Sequence, residues 1–113
     1  MVTRRRRGHP ALRSLLNGQM NKIFFIDIRM RTGDEMIPLA RFDLGTDKLF
    51  AQELYDMLEG SVDRLEEAPL LMEWIEEQMG LPQNLCLKGC SLKNVVHNCE
   101  TITKALFKKH TLG

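Results

Sequence analysis

Residues 86–99, Cys-Leu-Lys-Gly-Cys-Ser-Leu-Lys-Asn-Val-Val-His-Asn-Cys, hold all three cysteines of the chain and one of its three histidines. Thiolate and imidazole are ligands of structural zinc, which needs four of them converging about 2.0–2.3 Å from the metal. The first half of the C-x3-C-x6-H-x-C spacing suits this, because Cys86 and Cys90 flank a turn residue, Gly89. The second half does not. On a helix His97 and Cys99 stand about 200° apart and point to opposite sides. Cys86 and Cys90 remain the metal candidates, and no cofactor is expected.

Cys90 carries a second possible chemistry. It precedes a helix-like segment, where unpaired N–H groups and the helix dipole favour a thiolate or a bound anion. Lys88 and Lys93 lie close in sequence, so Lys88, Cys90, Ser91 and Lys93 form a candidate anion or reactive-thiol site. The simpler reading is structural: Gly89 turns the chain, Ser91 caps the helix and Cys90 fills space. Cys99 falls with Leu92, Val95, Val96, Ile102, Thr103 and Leu106 at spacings of three and four, the pattern of a core face.

No phosphate-binding glycine loop, H-E-x-x-H, G-x-S-x-G or calcium loop occurs. His9, His97 and His110 have no evident acid or nucleophile partner in sequence. Asp27 and Asp43 are expected to face each other across a hairpin, a pair able to do acid–base work but more simply a solvated face. A non-catalytic chain is the expectation.

The 113 residues suffice for one domain with its own core, and 43% hydrophobic with 27% charged residues is globular composition. No apolar run approaches the roughly 20 residues of a membrane-spanning helix. Three cysteines without a secretory apolar segment suggest reduced thiols and a cytoplasmic location. The net charge of +1 conceals an asymmetry: residues 1–19 carry five arginines and no acid, and eleven basic and fifteen acidic side chains follow. Arg4, Arg5, Arg6 and Arg7 are candidate phosphate contacts, and such an arm is a disordered extension that could bind nucleic acid. Mitochondrial import is a second use of an Arg-rich, acid-free start, and an appended segment preceding a working start at Met20 a third.

Residues 20–113 are expected to form one α+β domain, a small sandwich of a β-hairpin and one short strand with three helices packed on the sheet. Phe24, Ile26, Ile28 and Met30 alternate with Phe25, Asp27 and Arg29 as in a half-buried strand. Gly33 and Asp34 supply the reversal, and Pro38 assigns the return strand to an edge. A helix over 46–60 opens on Thr46 as N-cap, with Phe50, Leu54, Met57 and Leu58 on its apolar stripe. Residues 61–68 are read as a helical turn or a loop. A second helix over 69–80 runs from Pro69 to Gly80, with Leu71, Trp74 and Ile75 on one face and Glu76 and Glu77 in its last turn. Residues 83–91 are a short strand, and a final helix follows Ser91.

The function expected of such a chain is binding, to a protein partner or to another copy of itself, with Trp74, Glu76 and Glu77 as contact candidates. The alternatives are nucleic-acid association through Arg4–Arg7 and a thiol or zinc protein built on Cys86 and Cys90.

Overall fold

The protein is described by a computed structural model covering residues 21–111. Strand β1 (Lys22–Thr32) and strand β2 (Glu35–Gly45) form the expected hairpin, joined by Gly33 and Asp34. Gly33 takes φ +61°, a value open to glycine without steric cost. Phe24, Ile26 and Ile28 turn inward and are fully buried. Each such side chain contributes about 1.5–3 kcal/mol through removal from water. Pro38 lies on β2, an edge strand, where a missing ladder donor is tolerated.

Helix α1 (Lys48–Met57) begins one residue later than its expected cap. Asp47, not Thr46, caps it, its Oδ1 accepting from the Phe50 N–H at 3.1 Å. Ala51, Leu54, Tyr55 and Leu58 face the core, and Met57, expected on the stripe, is exposed. Beyond the helix the chain forms a loop with one 3-10 turn at Leu65–Glu67.

The expected helix over 69–80 is instead a strand, β3 (Leu70–Gln78), in the middle of the sheet. Leu70, Met72 and Trp74 face the helices while Leu71 and Ile75 are buried on the opposite face. A strand covered on both faces carries a continuous apolar run, which by periodicity alone also satisfies a helix. Gly80 is not a helix stop. With Met79 it forms a two-residue hairpin turn, at φ +56° and +77°.

Strand β4 (Leu81–Cys90) is longer than expected and takes in Pro82, on the second edge of the sheet. The result is a four-stranded antiparallel sheet in the order β2-β1-β3-β4. Helix α2 (Leu92–Thr111) closes the chain. Two helices therefore pack on the sheet, not three, and both lie on the same face. No helix among the described residues is long and apolar enough to cross a membrane.

Salt links and caps fix where each helix sits. Lys48, opening α1, reaches Glu76 near the end of β3 at 3.8 Å. At its other end, Lys88 of β4 donates to the Tyr55 and Leu58 carbonyls at 3.0 Å. Helix α1 thus lies over β3 and β4. Helix α2 runs back beside it, with Lys109 near Asp47 and Asn98 near Glu59.

Candidate functional site

The cysteine-rich segment is dispersed by the fold. Cys86 and Cys90 are four residues apart on an extended strand, about 13 Å at 3.3 Å per residue, too far to share one metal ion. Among the described residues no three His, Cys, Asp or Glu side chains gather where a metal could be held. Cys90 is 2% exposed, its Sγ 3.5 Å from the Glu59 carbonyl oxygen. Burial pushes its thiol up, with Lys88 opposing and Glu59 adding to the rise. That direction is opposite to the expected one.

The neighbours of Cys90 have structural partners. The Lys88 ammonium closes the C-terminal carbonyls of α1 and sits 4.5 Å from the centre of the Tyr55 ring. Ser91 caps α2 as expected, its Oγ accepting from the Asn94 N–H at 3.1 Å, while the Asn94 side chain accepts from the Ser91 N–H at 3.0 Å. Lys93 projects into solvent.

The expected contact residues are also relocated. Trp74 is 8% exposed and stacks on Tyr55, ring centres 5.7 Å apart, so it belongs to the core. Its Nε1 has no hydrogen-bond partner among the described residues. Glu76, expected in the last turn of a helix, is instead buried on β3 between Lys22 at 3.5 Å and Lys48 at 3.8 Å. Glu77 is half-buried at the opposite face of the strand. Asp27 stands across from Arg41, and Asp43 across from Phe25, because the two-residue turn and the one-residue bulge at Leu39 set that register. Arg4–Arg7 lie outside the described residues.

On the helix-free face of the sheet, charged side chains form their own cover. Arg41 donates to both oxygens of Asp27, at 2.7 and 2.9 Å, and lies 4.6 Å over the Phe25 ring. The hydrogen bond to Asp27 raises the Arg41 pKa above its ordinary value, the first of several causes. Arg29 pairs with the buried Glu73, and Arg31 donates to the Leu65 and Ala68 carbonyls. A shallow groove of about 420 Å³ lies beside Arg29, Arg41 and the bulged Leu39. The charges pair within the chain, although the Arg29 Nε is buried without a hydrogen-bond partner among the described residues.

The other unpaired surface is apolar. On α2, Val95, Asn98 and Ile102 point into the core. At 100° per residue, Leu92, Val96, Cys99, Thr103 and Leu106 form a second stripe, about 90° around the axis from the first. Leu92, Val96 and the adjacent Phe107 are 70%, 64% and 67% exposed, and Cys99 and Leu106 are half-buried. Since α1 flanks the other side of α2, this stripe faces away from α1; on the same face of the sheet Ile37, opposite Met30, is also exposed.

The expected core face of α2 is therefore rotated. Leu92 and Val96 fall outside it, and a fully buried asparagine lies within it. The sequence did contain the signal: apolar residues occupy more of the circumference of α2 than a single buried face requires. No protein-family model, curated protein or solved structure matches the chain.

Proposed function

We propose that this chain is a small non-catalytic binding module that contacts protein through the side formed by α2 and β2. The observation carrying this reading is the second, exposed apolar stripe of α2, on the helix-bearing face to which the exposed Ile37 of the edge strand β2 also belongs. Contiguous exposed apolar surface of this kind marks contact sites more often than chance exposure does. Most charged groups of the helix-free face pair within the chain, and the three cysteines stand apart in the fold. A thiol or metal function has no comparable support.

The test is photo-crosslinking in cells, with a photoreactive amino acid placed at Val96, at Ile37 or at Leu81. Leu81 is 73% exposed but belongs to the β3–β4 turn, away from the proposed side. Discrete protein adducts from positions 96 and 37, and none from 81, are expected. Equal labelling at all three positions, or none, would overturn the reading.

A further inference from the structure

We draw no further inference here: the strongest candidate, the exposed apolar stripe of α2 from Leu92 to Leu106, belongs to the surface already described, and nothing in the structure shows what covers it.

Discussion

The two edges of the sheet end in opposite ways. At β4 the chain leaving α1 folds around the strand, pairs Ser61 with Gly89 through two backbone hydrogen bonds of 2.9 and 2.7 Å, and crosses to the other face before entering β3. Gly89 permits that passage, since a Cβ there would stand 2.7 Å from the Cβ of Ala68. Buried side chains secure the same corner. The Asn98 amide accepts from the Glu59 N–H and donates to the Glu59 carbonyl, both at 2.8 Å. At β2 nothing comparable occurs among the described residues. Ile37, on the helix-bearing face, and Leu39, beside the groove on the other, both face solvent. Where the fold satisfies its own backbone it leaves no surface to share, and the surface available to a partner begins where those internal bonds stop.

Mutations at the closed edge should destabilise the monomer, and mutations at the open edge should not. Asn98→Ala has the largest expected effect, because it empties a fully buried position and removes both bonds to the Glu59 backbone together. A loss of about 2–4 kcal/mol is expected in urea denaturation. Gly89→Ala should cost about 1–3 kcal/mol by pressing on Ala68. A neutral result at both positions would erase the contrast between the edges. Tyr55→Phe removes a buried hydrogen bond of 3.0 Å to the Met72 carbonyl and should cost about 1 kcal/mol. At the open edge, Val96→Glu and Leu39→Lys should each change monomer stability by less than about 0.5 kcal/mol, measured at a dilution where no association occurs.

The smallest effect concerns Asp47, at the start of α1. Its pKa is lowered by the Phe50 N–H, then by the Lys109 side chain. A carboxylate depressed in the folded state contributes stability above its unfolded pKa, and this is lost as pH falls through the folded value. Asp47→Asn keeps a good cap without the charge and should flatten that part of the acid limb of a stability–pH curve.

The hairpin of β1 and β2 was legible because one face is dry and the other wet, so Phe24, Ile26 and Ile28 alternate cleanly with Phe25, Asp27 and Arg29. Strand β3 was not, because Leu71 and Ile75 are buried without a helix above them, under the charged cover built by Arg29 and Glu73. Nothing local distinguishes that run from a buried helix. Helix α2 and its Ser91 cap were legible, but its orientation was not. Asn98 is polar, and its place in the core depends on Glu59, some forty positions earlier. The candidate surface was hidden for the same reason. Leu92 and Val96 read as core residues until Asn98 takes the inward position.

The passage of the chain around β4 also constrains the order of assembly. Both hairpins have two-residue loops and pair close in sequence, so each can form quickly and alone. The β1–β3 ladder joins residues about fifty positions apart and must wait for them. The segment from Gly60 to Ala68 joins α1 to β3 around the edge of β4, so its placement is coupled to the docking of β3 on β1. Mutations that loosen this wrap should therefore slow folding more than they speed unfolding, whereas changes on the rim of β2 should leave the folding rate as it was.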